Sequence, residues 1–154
     1  MARWSETWLP GSTPAGYTPA AGAHPGDRLG LPVAGVSSVA GFGRRLAALT
    51  IDWLLGYAVT ALVMGAEVSS APFTVLGVWF LLTAVPVAVF GASAGMTALG
   101  IRVASIGDEP VVGVPRALLR TALIALVVPP LIRDPDGRGW HDRAARTVVV
   151  RTRA

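Results

Sequence analysis

Two stretches of this chain are long, apolar and almost free of charge, and they constrain its fold more than any other feature. Leu46 to Gly65 reads LAALTIDWLLGYAVTALVMG, twenty residues whose one charge is Asp52. Pro72 to Phe90 reads PFTVLGVWFLLTAVPVAVF, nineteen residues with no charge. As helices they would measure roughly 30 and 28 Å, about the thickness of a bilayer's hydrocarbon core. Composition agrees: 53% of the 154 residues are hydrophobic and only 14% charged, where a soluble domain carries about a quarter. A globule of this size would leave much of that apolar surface facing water. The reading is therefore a small membrane protein, with Pro86 kinking the second span and freeing the carbonyl near Leu82.

Residue counts remove several chemistries. The chain has no cysteine, and all 13 of its basic residues are arginine. Disulfides, thiol nucleophiles and iron–sulfur clusters are excluded, as are Schiff-base and phosphate-loop lysines. His24 and His141 are too few for a histidine-rich metal site. The net charge of +4 could suggest nucleic acid, but the arginines flank apolar segments rather than interleave with aromatics, so no nucleic-acid partner is expected. Arginines so placed face anionic lipid headgroups. No cofactor and no metal is expected.

Outside the two spans the chain changes character. Residues 1–43, with 8 glycines and 5 prolines, cannot bury enough surface to offset their ordering entropy, and read as a disordered tail. After the second span Gly91, Gly95 and Gly100 punctuate the sequence. Ile101–Ile106 and Pro110–Val114 then read as the two strands of a small β-hairpin around Gly107-Asp108-Glu109. The third apolar stretch, 117–132, is short for a span, has Arg120 in its first turn and ends in Pro129-Pro130. The positive-inside rule wants the arginines before the first span and those of the tail, Arg133 to Arg153, on one side, with Glu67 on the other. The favoured fold is all-α and integral to the membrane: two full transmembrane helices (46–65 and 72–90), a short third membrane segment that returns to its starting face, and the hairpin in the cytoplasmic loop. A three-span protein with an outside tail is the competitor. In domain terms the tail is followed by a membrane domain over 44–150 and a basic end, 151–154.

Asp52 is the costly residue, since a carboxylate inside an apolar span loses about 2.5–3.5 kcal/mol on insertion scales. Arg45 lies seven residues earlier, on the same face and about 10 Å away along the axis. That is far for a direct bond, so a water or a third group is expected to bridge them: Arg120, or a residue of the Arg138–Asp142 stretch. Gly56, Ala61, Gly65, Gly77, Ala84 and Ala88 favour close helix contact. Trp140 suits an interface anchor beside His141.

Three motifs in series then resemble the RDD family of membrane proteins, named for an arginine and two aspartates. RLAALTID carries Arg45 and Asp52. GASAGMTALGIRV carries Gly91, Ser93, Gly95, Gly100 and Arg102. GRGWHDRAARTVVV carries His141, Asp142 as the second aspartate, and Thr147. The likeness covers 42–150. The stretch before Arg133 is shorter than is usual in the family, and Arg146 stands where a small residue, commonly glycine, is found. The resemblance implies a multi-pass protein of the cytoplasmic membrane with a suggested role in transport.

Two functions follow. In the first, cation/proton exchange, Asp52 carries the proton, Arg45 tunes it and Asp142 sits at the cytoplasmic mouth. No inverted repeat is visible, so transport would need a homo-oligomer or a larger membrane complex. In the second, the same residues form a structural clasp in a non-transporting accessory or interaction subunit. An enzyme is not expected: Gly91-Ala92-Ser93-Ala94-Gly95 has the letters of a nucleophile elbow but not its strand-to-helix setting.

Overall fold

The computed structural model describes residues 23–107, 111–126 and 137–153. Helix α1 spans Phe42–Met64 and α2 spans Pro72–Phe90, joined by a 3₁₀ segment over Gly65–Ser70. α1 starts after Gly41, which is extended, and stops at Gly65, whose φ of 61° a side chain would resist. α2 opens on Pro72, where a missing N–H costs nothing, and runs unbroken through Pro86.

Both helices bury small or polar residues and expose large apolar ones. The buried stripe of α1 is Ala48, Asp52, Gly56 and Thr60, one residue per turn. Outward, Leu62 is 88% exposed, and on α2 Phe73 is 85% exposed. Only 22% of the apolar window of Phe42–Ser70, and 33% of that of Pro72–Phe90, is buried. The core helix of a soluble protein has the reverse distribution. Contact between the helices depends on Gly56, where an added Cβ would stand 2.8 Å from Trp79 Cβ. The Trp53 and Trp79 rings stack beside that contact, 4.7 Å between centroids.

At the end where α1 begins and α2 finishes, the other described segments gather. Gly91, with φ 74°, closes α2 by donating to Val87 O, and its carbonyl accepts from Val103 N. A short helix α3 (Ala94–Ala98) leads into strand β1 (Ile101–Ser105). Helix α4 (Val114–Ala125) follows, then the short α5 (Trp140–Ala144) and strand β2 (Thr147–Arg151). β1 pairs with β2 antiparallel, from Ile101 opposite Arg151 to Ser105 opposite Thr147. Ile101, Val103 and Val149 bury themselves against Ala40, Ala48 and Val87 at the helix ends.

Two expectations change here. The local hairpin is not formed: the partner of β1 is β2, beyond α4, and Val114 begins a helix. Valine-rich Thr147–Arg151 offers β1 an almost fully buried partner, whereas Val111 and Val114 of the expected second strand are exposed and 108–110 lie outside the described residues. The tail boundary at residue 43 also moves. Residues 1–22 lie outside the described residues, but Asp27–Leu29 makes a 3₁₀ turn and Val39 bridges Val150. Ser37 N and Ala40 N donate to Arg151 O and Val149 O, so this stretch adds to the edge of the sheet. The third segment is helical over Val114–Ala125, and 127–132 lie outside the described residues. α4 starts beside the final turns of α2, with Val114 and Leu118 against Val85 and Val89.

Candidate functional site

Both aspartates of the sequence motifs are buried, Asp52 at 3% exposure and Asp142 at 0%, and each is held by a different set of donors.

Asp52 is held by the glycine-rich loop after α2. Ser93 Oγ donates to Asp52 Oδ2 at 2.5 Å, and Gly95 N donates to Asp52 Oδ1 at 2.7 Å. Ser93 is also the N-cap of α3, accepting from Met96 N at 3.3 Å. The carboxylate therefore fastens the start of α3 onto the middle of α1. Gly95 must be glycine for this approach, because a Cβ there would collide with the Ala48 carbonyl and come within 3.0 Å of Asp52 Oδ1.

Asp142 is held by arginines from two helices. Arg45 Nη1 lies 2.9 Å from Oδ2 and Arg120 Nε 3.0 Å from Oδ1. His141 Nε2 is 3.3 Å from Oδ1, and Thr147 Oγ1 lies 3.5 Å away at the edge of hydrogen-bonding range. Complete burial would raise the Asp142 carboxyl above the ordinary 3.8, but Arg120 first, then His141 and Arg45, outweigh it and hold it at about 2. Arg45 makes further use of its fork, donating from Nε to Ala40 O at 3.0 Å and from Nη2 to Val149 O at 3.3 Å. One side chain thus joins α1, the segment before it and β2.

The expected link between Arg45 and Asp52 is replaced by these two. Arg45 pairs with Asp142, and Arg120, the suggested bridge, pairs with Asp142 as well. The other motif residues divide by role. Gly91 and Gly100 shape the backbone around α3, with φ of 74° and 63°, and Thr147 is fully buried beside Asp142. Arg102 is exposed on β1, opposite Val150, and away from both carboxylates. Arg146 takes φ 51°, the left-handed region, which accounts for glycine being common there in the resembled family.

Asp52, Arg45, Arg120 and His141 also line a cavity of about 170 Å³ between α1, α2 and α4. Its remaining wall is mostly apolar and includes Leu49, Trp53, Met96 and Ile124. Thr83 completes it; sequence reasoning missed that residue, although it is the one hydroxyl in the second half of an otherwise apolar α2. Among the described residues no three His, Asp or Glu side chains gather to hold a metal ion.

Fold and site together define a small helical protein in which two helices, long and apolar enough to cross a bilayer, are closed at one end by a polar clasp and a two-stranded sheet. The family model for the RDD family matches residues 39–146, and the chain belongs to that family. Neither the comparison with curated proteins nor that with solved structures finds a match.

Proposed function

We propose that this chain is a two-span protein of the cytoplasmic membrane that serves as a non-transporting module of a larger membrane assembly, with its Arg and Asp residues as a structural clasp. The observation that carries this reading is the occupancy of the two carboxylates. Both oxygens of Asp142 face arginine, and both oxygens of Asp52 accept from Ser93 and Gly95. Groups so fully engaged fix packing; they have little freedom to bind and release a cargo ion. The outward-facing leucines, valines and phenylalanines of α1 and α2 suit acyl chains, which supports the membrane setting. The same-side arrangement of the two ends of the membrane domain is supported by the pairing of β2 with the segment leading into α1.

Cation/proton exchange is the second reading, favoured by one observation: Asp52 borders a cavity next to Arg120 and Thr83. The test is to reconstitute wild type and Asp52→Asn in liposomes and follow sodium and proton flux beside the amount of folded protein. The clasp reading expects no flux above empty liposomes in either, and less folded protein for the variant. Flux in wild type that Asp52→Asn removes, at equal folded protein, overturns it in favour of exchange.

A further inference from the structure

Two residues that line the cavity, Arg120 and Thr83, carry polar atoms that the clasp does not use. Arg120 Nη1 and Thr83 Oγ1 have no hydrogen-bond partner among the described residues, and both side chains are 2% exposed. An uncompensated guanidinium nitrogen in a mostly apolar wall is costly, so a group that supplies an acceptor there gains accordingly. Asp52 does not meet this need: it takes its hydrogen bonds from Ser93 and Gly95, and Arg120 Nη1 makes none to it. Asp142 takes Nε of Arg120, and Nη1 keeps no partner.

The rest of the cavity specifies what accompanies the acceptor. The lining also includes the apolar Leu49 and Ile124 and the exposed Phe42, Leu46 and Trp53, whose exposure marks the side that meets the surroundings. Volume is sufficient for a headgroup fragment and a few methylenes, since an engineered cavity of about 150 Å³ in another protein accepts benzene. Position matters too. Phe42 to Asp52 covers about 15 Å of helix from the arginine-flanked end of α1, the depth range where headgroups give way to acyl chains.

We propose that this cavity binds the acidic head of a membrane amphiphile, a carboxylate or phosphate oxygen on Arg120 Nη1 and Thr83 Oγ1, with its acyl chain leaving past Leu46 and Trp53. Only the source of the ligand rests on the membrane reading; the binding chemistry is independent of it.

Trp53 in the wall provides the signal. The full chain in a neutral maltoside detergent is titrated at alkaline pH with brominated stearate and, separately, with its methyl ester, which carries the same bromines without the charge. The expected result is saturable quenching by the acid that Trp53→Phe reduces, since Trp79 stacks on Trp53 and remains, with binding about tenfold tighter than the ester. Thr83→Val weakens the acid several-fold, and Ala125→Phe, which fills the cavity, abolishes saturable quenching. Equal binding of acid and ester, or undiminished quenching in Ala125→Phe, overturns the proposal, and neither comparison depends on altering Arg120. A second arm uses lipid nanodiscs with brominated phosphatidylglycerol or phosphatidylcholine. Preferential quenching by the glycerol lipid identifies a phospholipid, and quenching by free acid alone identifies a fatty acid. Failure of the chain to insert into bilayers would sink the membrane reading while leaving the detergent titration intact.

Discussion

Arg45 and Asp142 stand 97 positions apart and meet at 2.9 Å, while Asp52, two turns along Arg45's own helix, takes its hydrogen bonds from Ser93 and Gly95. The two aspartates therefore do separate work. Asp142 ties the C-terminal strand and α4 to the start of α1; Asp52 ties the glycine-rich loop to its middle. Between them they fasten α3, α4 and the approach to β2 to α1.

Removing Asp142 leaves Arg45 and Arg120 facing each other without their shared counter-charge. Asp142→Asn is expected to cost about 3–5 kcal/mol, the range for breaking a buried pair. Asp52→Asn places an amide N–H₂ against a donor and should cost about 1–3 kcal/mol. Unfolding midpoints of the purified variants in detergent give the order: Asp142→Asn lowest, Asp52→Asn between it and wild type.

Acid should loosen the clasp in a defined window. The folded value of Asp142, about 2, lies below the ordinary 3.8, so its ionised form stabilises the fold. That contribution, roughly 2 kcal/mol, is complete above about pH 4 and is lost as pH falls through 2. Stability measured across this range should drop more steeply for wild type than for Asp142→Asn, which has no proton to take up there.

Gly95→Ala tests the contact between α3 and α1. The added methyl group meets the Ala48 carbonyl, which is helix backbone and cannot rotate away. A loss of about 1–3 kcal/mol is expected, and the Gly95 N–H to Asp52 bond should open. Amide exchange at Gly95, followed by NMR, should accelerate in the variant if the contact is as described.

Much of this architecture is legible in the sequence, and the limits are physical. The second span, 72–90, needs only length and hydropathy and coincides with α2. The first extends four residues earlier than hydropathy suggests, because Arg44 and Arg45 are polar yet sit comfortably in the first turn of α1. The motifs identified Arg45, Ser93, Gly95 and Asp142 as important. They could not say who pairs with whom: helix spacing puts Arg45 and Asp52 on one face, and the two bridging candidates, Arg120 and the Arg138–Asp142 stretch, meet each other at Asp142 while Asp52 turns to Ser93 and Gly95. The strand partner of β1 was hidden for the same reason. A turn signal is local, whereas β2 lies beyond α4 and competes through burial.

Arg146 carries a conformational cost that the fold does not need. Its φ of 51° disfavours a side chain, and the residue is exposed. Arg146→Gly should relieve about 1 kcal/mol of strain, partly offset by glycine's freedom when unfolded. A small rise in unfolding midpoint, with the sheet intact by circular dichroism, is the expected outcome.

In the proposed topology both ends of the membrane domain lie on one side and the Gly65–Ser70 turn on the other, because the C-terminal strand packs at the entrance to α1. Impermeant thiol labelling of intact cells reads this directly, since the chain has no cysteine of its own. Single variants Gly41→Cys, Glu67→Cys and Arg153→Cys would be exposed to the reagent before and after lysis. The account predicts that Glu67→Cys reacts in intact cells while Gly41→Cys and Arg153→Cys react only after lysis. Labelling of Arg153→Cys in intact cells, with Gly41→Cys still protected, would contradict it.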